Sequence, residues 1–170
     1  FDPNKGFLLA SGQKSDVYID VKKTVLFSEG ITLTGEIVFD MIKDDDVAGI
    51  GGLTLGADPI AYATAFASNL KGKALSVFIV RKETKAHGTQ RKIEMPFEAG
   101  TSVVVIDDVV TTGGSTIKAI EGARDAGLIV KKVVALVDRE EGGRENIEAH
   151  CPFEAVFTKT DLLNLRKKRG

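Results

Sequence analysis

The chain has no tryptophan, two tyrosines, two histidines and a single cysteine among its 170 residues. With Cys151 alone, an intramolecular disulfide is excluded, which fits a reducing compartment such as the cytoplasm. No apolar run reaches the length of a membrane span, and the first residues lack a signal-peptide pattern. An excess of charge of one sign is missing too. With 23 basic and 24 acidic residues the net charge is −1, so no overall field draws the chain to nucleic acid. The basic tail Arg166-Lys167-Lys168-Arg169 reads as a solvated helix end. The 18 glycines gather in turns and follow no repeat. The length is enough for one domain, 1–170, with one sizeable core. Because the chain opens on Phe1 instead of Met, a preceding N-terminal segment is expected.

What is present is an alternation of apolar, β-branched runs with helical patterns, which predicts an α/β fold around a mainly parallel sheet. Phe7 to Ala10, a Ser11-Gly12 turn, and Val17 to Asp20 predict a small hairpin over the rest of the domain. Ser28 is the expected N-cap of a helix ending near Asp44-Asp45-Asp46. Val47 to Ile50 predicts a strand and Gly49 to Gly56 a glycine-rich loop, with Asp58 capping the next helix and Pro59 at its first position. The loop fits neither nucleotide fingerprint. The Rossmann pattern wants glycine where Thr54 stands, and the P-loop wants lysine where Ala57 stands. Leu75 to Val80 and Val133 to Val137 are further strands, with a short strand at Ala155 to Phe157 and a last helix from Asp161.

The organising stretch is Val103 to Thr116. A continuous β-branched run, a strand buried on both faces, leads to Asp107 and Asp108 where the strand should end. Thr111-Thr112-Gly113-Gly114 follows, and Ser115 or Thr116 is the expected cap of a helix running to about Ala126. Glycines that admit a close backbone approach, hydroxyls, and free N–H groups at a helix start together make a phosphate seat. Carboxylates would repel a bare anion, so the acid pair should meet another part of the same ligand, and vicinal sugar hydroxyls suit it. The segment from Arg81 to Lys92 is the most basic of the chain and has no apolar period. It predicts a long mobile loop able to cover a polyanionic ligand.

The order of strand, two acids, two residues and a Thr/Gly-rich loop resembles the phosphoribosyl-pyrophosphate (PRPP) signature of the type I phosphoribosyltransferases. That resemblance implies their fold, with a small N-terminal hood. It gives the ribose hydroxyls to Asp107 and Asp108, and makes Val109, Val110, Thr111, Thr112, Gly113, Gly114 and Ser115 the PRPP loop around the 5-phosphate. Phe7 to Gly12, Tyr18-Ile19-Asp20, Arg81-Lys82-Glu83-Thr84-Lys85-Ala86-His87-Gly88 and Val137-Asp138-Arg139 with Gly142-Gly143 are further similar to the orotate phosphoribosyltransferases within that family. This implies transfer of a phosphoribosyl group from PRPP to orotate in pyrimidine synthesis. It also implies a homodimer in which the loop Arg81 to Gly88 reaches the neighbouring subunit's site. Arg81, Lys82, Lys85 and His87 would meet the departing pyrophosphate, with Lys85 and His87 catalytic beside Asp107 and Asp108. Arg139 would hold the orotate carboxylate, with Thr111 near the base and the backbone of Tyr18 and Ile19 along its other edge. No residue holds a metal directly; Mg²⁺ would come with PRPP, touching Asp107 or Asp108 through water.

Two positions depart from the better-known pattern. Ala10 stands where some members carry lysine, and no lysine occurs near Leu55; Lys22 or Lys23 are candidates to substitute. A purine phosphoribosyltransferase is the first alternative, though it would want an aromatic residue near position 139. A PRPP-sensing regulator is the second, and it would want a basic nucleic-acid-binding face.

Overall fold

The computed structural model describes residues 7–8, 14–15, 17–82 and 93–169. The predicted catalytic pair Lys85 and His87, and Ala10, lie outside the described residues. In chain order the elements are β1 (Phe7–Leu8), β2 (Lys14–Ser15), α1 (Lys22–Val25), α2 (Ser28–Ile42), β3 (Gly49–Leu53), α3 (Ala57–Leu70) and β4 (Ser76–Val80). They continue with β5 (Ile93–Glu94), β6 (Ser102–Val110), α4 (Gly114–Asp125), β7 (Ile129–Asp138), α5 (Gly143–Glu148), β8 (Phe153–Thr158) and α6 (Lys159–Arg169).

Strands β3, β4, β6, β7 and β8 run parallel, and β5 closes one edge as an antiparallel partner of β4. The spatial order is β5-β4-β3-β6-β7-β8, so β3 lies between β4 and β6. The sheet therefore grows outward in both directions from the β3/β6 pair, and a crevice opens beyond the carboxyl ends of those strands. Alternation along β6 divides the core. Val104 and Ile106 join α2 and α3 through Val38, Phe39, Ile60 and Ala61, whereas Val103 and Val105 join α4 through Ala119, Ile120 and Ala123. A strand covered on both faces explains the unbroken run of Val and Ile.

Several boundaries differ from expectation for local physical reasons. The β3 strand continues through Gly51 and Gly52, residues expected in a loop. A Cβ on Gly51 would strike Phe78, and one on Gly52 the Ile106 carbonyl and Ala57, so glycine here permits close packing. The segment Val17 to Asp20 is no strand; β1 pairs with β2 instead, and the Val17 carbonyl is taken by a side chain from the far end of the sheet. Ser28 and Asp58 are not N-caps. They lie one and two residues inside helices whose N-caps are Phe27 and Gly56. The α6 helix begins two residues early, at Lys159. Thr158 and Asp161 cap it reciprocally: Asp161 Oδ2 accepts from Thr158 N at 2.8 Å and Thr158 Oγ1 from Asp161 N at 3.1 Å. The β7 and β8 strands are both longer than predicted. Asp45 is drawn to Lys132 of β7 at 2.8 Å, which gives the acidic end of α2 a cationic partner.

Candidate active site

The acid pair sits inside β6 and not beyond its end, because ladder pairing with β7 persists to Val110 and Asp138. Period two then sends the two carboxylates to opposite faces. Asp107 follows Val103 and Val105 toward α4 and is 7% exposed. Its Oδ2 accepts from Thr116 Oγ1 at 2.6 Å and Ser115 Oγ at 3.2 Å, and its Oδ1 from the amide of Asp108 at 2.9 Å. Burial pushes its pKa up to about 6, with a contribution from the Asp108 charge, against the lowering effect of those hydrogen bonds. Asp108 turns toward the β3–α3 connection. A Cβ on Gly56 would lie 2.7 Å from its Oδ1, so glycine makes room for that carboxylate. In the same connection the Thr54–Leu55 peptide is cis.

Gly113, with φ of 81°, is the N-cap of α4, and no side chain caps this helix. Ser115 and Thr116, expected as caps, reach back to Asp107 instead. The first amides of α4 have no acceptor inside the helix and no side-chain cap, the arrangement that suits an anion. A cleft of ≈ 460 Å³ lies over this turn, lined by Leu53, Lys82, Val109, Thr111, Thr112, Gly113, Gly114, Ser115 and Lys118. Lys82 stands two residues beyond β4, and its ammonium group and that of Lys118 thus border the loop. Lys118 escaped the sequence reading. It stands three residues after Ser115, so helical spacing alone would have put it on the same side. Val110 lies in the ladder, buried beneath the loop. From behind, Asn146 Nδ2 donates to the Thr112 carbonyl at 3.0 Å, and Gly143 packs so tightly that a Cβ would lie 2.6 Å from the Thr111 carbonyl. Arg81 pairs with Glu94 at 2.7 Å, closing the base of the β4–β5 connection.

One strand over, Arg139 follows the last residue of β7 and is 2% exposed. Its backbone amide donates to the Val110 carbonyl at 2.9 Å. Its guanidinium pairs with Glu141, and not with Asp138 or Glu140. Nε and Nη2 reach Glu141 Oε1 at 3.2 and 3.0 Å, while Nη2 donates to the Val17 carbonyl at 3.1 Å. Asp138 binds Arg144 at 3.0 Å, and Glu140 holds Thr160. The predicted base-site residues Arg139, Tyr18 and Ile19 are thereby brought together across the chain. Lys22 and Lys23 are exposed on α1. Among the described residues no group of three or more His, Cys, Asp or Glu side chains is arranged to hold a metal ion. No helix among them is long and apolar enough to cross a membrane.

Comparison with known proteins agrees with this geometry. The orotate phosphoribosyltransferase of Aquifex aeolicus is 47% identical over 158 residues, which span 92% of this chain and 86% of that protein. The chain belongs to the orotate phosphoribosyltransferase family. Among solved members, the Mycobacterium tuberculosis enzyme in complex with Fe(III) dicitrate superposes with a TM-score of 0.80 at 38% identity, covering 93% of this chain and 89% of that one. The same enzyme in complex with PRPP gives 0.76 at 35% identity, over 86% of this chain and 83% of that one. No protein-family model matches the chain. The family is one of transferases acting through a type I phosphoribosyltransferase fold, and the purine and regulator alternatives have no comparable support.

Proposed function

We propose that this chain transfers the 5-phosphoribosyl group of PRPP to orotate, giving orotidine 5′-monophosphate and pyrophosphate, as one phosphoribosyltransferase domain. The observation that carries the reading is the juxtaposition at the end of β6. A phosphate seat with two ammonium neighbours adjoins an acid pair, with a buried arginine one strand away. Thr111 to Ser115 bind the 5-phosphate through hydroxyls and helix-start amides. Asp107 and Asp108, on opposite faces of one strand, accept from the ribose hydroxyls. Arg139 takes the orotate carboxylate in a charge-assisted contact, beside Thr111 and the Tyr18–Ile19 backbone.

Orotate nitrogen attacks the anomeric carbon as the bond to pyrophosphate breaks, so positive charge grows on the ribose and negative charge on the leaving group. Arg81, Lys82, Lys85 and His87 stabilise the leaving group electrostatically, with Lys85 or His87 able to give it a proton. Mg²⁺ would supply Lewis-acid neutralisation of the pyrophosphate. The donor set fits a cation carried by the ligand's phosphates, with Asp108 as the half-exposed carboxylate beside it.

The catalytic unit is a homodimer, and the loop Arg81 to Gly88 serves the neighbouring site. Supporting this, α3 carries Tyr62, Phe66 and Leu70 at four-residue spacing, exposed to 55%, 67% and 71%, beside a groove with Ile31 and Pro59. The decisive assay follows the ultraviolet absorbance of orotate with PRPP and Mg²⁺. Loss of absorbance requiring all three components supports the reading; PRPP consumption only with purine bases would overturn it.

A further inference from the structure

We propose that Thr116 is a positioning residue for phosphoribosyl transfer: its buried hydroxyl fixes the orientation of the Asp107 carboxylate and ties that carboxylate to the proposed phosphate loop. The proposal rests on the reading that Asp107 serves the ribose.

Thr116 is 1% exposed and is the third residue of α4, two positions past the first helical residue and beyond the N-cap. Here Gly113 starts the helix without a side-chain cap, and the Thr116 hydroxyl points inward to β6, 2.6 Å from Asp107 Oδ2. Such a short contact to a carboxylate is a charge-assisted hydrogen bond. The second donor on Oδ2, Ser115, is longer at 3.2 Å and belongs to the proposed phosphate seat, so a ligand competes for it. The Asp108 amide holds the other oxygen at 2.9 Å. Among the described residues Thr116 is thus the one side-chain donor to Asp107 that lies outside the proposed phosphate seat.

The surroundings make this hydroxyl matter. Across the ladder Asp107 faces Ala135 of β7, and its apolar neighbours on the same face are Val103 and Val105. On β6 the charged neighbour is Asp108, whose charge opposes ionisation. From α4 come the two hydroxyls, and Lys118 stands farther along in the cleft. From β3, Leu53 contributes no charge. Among these described groups no cation pairs with Asp107, so ionised, oriented Asp107 depends on donors, and Thr116 is the shortest of them.

The test compares Thr116→Val, which keeps the shape and removes the hydroxyl, with Thr116→Ser, which restores it. Affinities for inorganic phosphate and ribose 5-phosphate are measured by calorimetry, together with kcat/KM for PRPP from pH 5 to 9. For Thr116→Val we expect the preference for ribose 5-phosphate over phosphate to fall about tenfold, as loss of one charge-assisted bond implies. The acid limb of kcat/KM should move up by about one pH unit. KM for orotate should stay within about twofold, and Thr116→Ser should behave as wild type. If Thr116→Val does not fold, Thr116→Ala makes the same comparison. An unmoved acid limb and an unchanged ligand preference in the hydroxyl-free variant would overturn the proposal, whatever happens to stability; so would failure of serine to rescue. Asp107→Asn separates the two levels. If it leaves the ligand preference unchanged, the ribose reading of Asp107 itself fails. If Asp107→Asn lowers the preference and Thr116→Val does not, only the role of Thr116 fails.

Discussion

Arg139 and Val17, separated by 122 positions in the chain, meet through a 3.1 Å hydrogen bond from the guanidinium to the backbone carbonyl. The same guanidinium is forked onto a single oxygen of Glu141. The proposed base site is therefore closed on one side by the segment leading into α1 and on the other by an internal carboxylate. An incoming orotate carboxylate must share or replace what Glu141 provides.

Replacing Arg139 with lysine keeps the charge but loses the fork. We expect KM for orotate to rise at least tenfold, with KM for PRPP changed less than threefold. Stability should fall by only about 1 kcal/mol, because Glu141 loses the forked contact but keeps cationic neighbours, Lys159 at 3.5 Å among them. Steady-state kinetics in both substrates check this, and equal losses for the two would refute the assignment.

The raised pKa of Asp107 has a calculable sign. Its carboxyl is protonated more readily in the folded chain, at about 6, than at the ordinary value of 3.8. Between those values the native state binds more protons, so stability falls as pH rises through the window. Above it, a penalty of about 3 kcal/mol is fully present. Asp107→Asn should therefore raise the melting temperature more at pH 8 than at pH 5, while activity is lost at both. A gain independent of pH would contradict burial as the cause.

Gly56→Ala places a methyl group against the Asp108 carboxylate. The backbone there is ordinary helix, so the fold should tolerate alanine. Displacement of the carboxylate should raise KM for PRPP by about tenfold, since a charge-assisted contact contributes about 1.5 kcal/mol. Titration with PRPP at saturating orotate reads this directly.

Phe66→Glu introduces a charge into the exposed α3 stripe. If that stripe is the subunit contact, sedimentation equilibrium should find a dimer for the parent chain and a monomer for the variant. Turnover should fall with dimer content. A dimer that survives the substitution would move the contact elsewhere.

Lys85→Ala should lower kcat by at least a hundredfold with PRPP affinity changed only a few-fold, the pattern of a group that acts in the transition state. Comparable losses in both would return Lys85 to a ground-state binding role.

The parallel sheet and the Thr/Gly turn before α4 were legible because both depend on local pattern. A β-branched run such as Val103 to Ile106 specifies a strand covered on both faces, and Thr111 to Ser115 specifies a turn with few alternatives. Legibility failed where a tertiary partner decides the outcome. Gly51 and Gly52 read as loop because nothing local reveals Phe78 and Ile106 pressed against them. Ser115 and Thr116 read as caps because a hydroxyl near a helix start normally serves its own helix; here a carboxylate eight or nine positions upstream claims both. Arg139 could be marked as a cation at a strand end, but its pairing with Glu141 and Val17 depends on how separate segments converge. Lys118 was the avoidable omission, since three-residue spacing from Ser115 sufficed.

Helix α5 adjoins both proposed seats at once. Asn146 and Gly143 brace the loop around Thr111 and Thr112, and the turn that leads into the helix carries Arg139 and Glu141. Six residues of helix thus act as a gauge block between the proposed anchor for the sugar phosphate and the proposed anchor for the base. Changing base selectivity by altering the length of the 140–146 segment would shift the register between nucleophile and anomeric carbon. Redesign for another base is therefore best confined to side chains on an unaltered backbone.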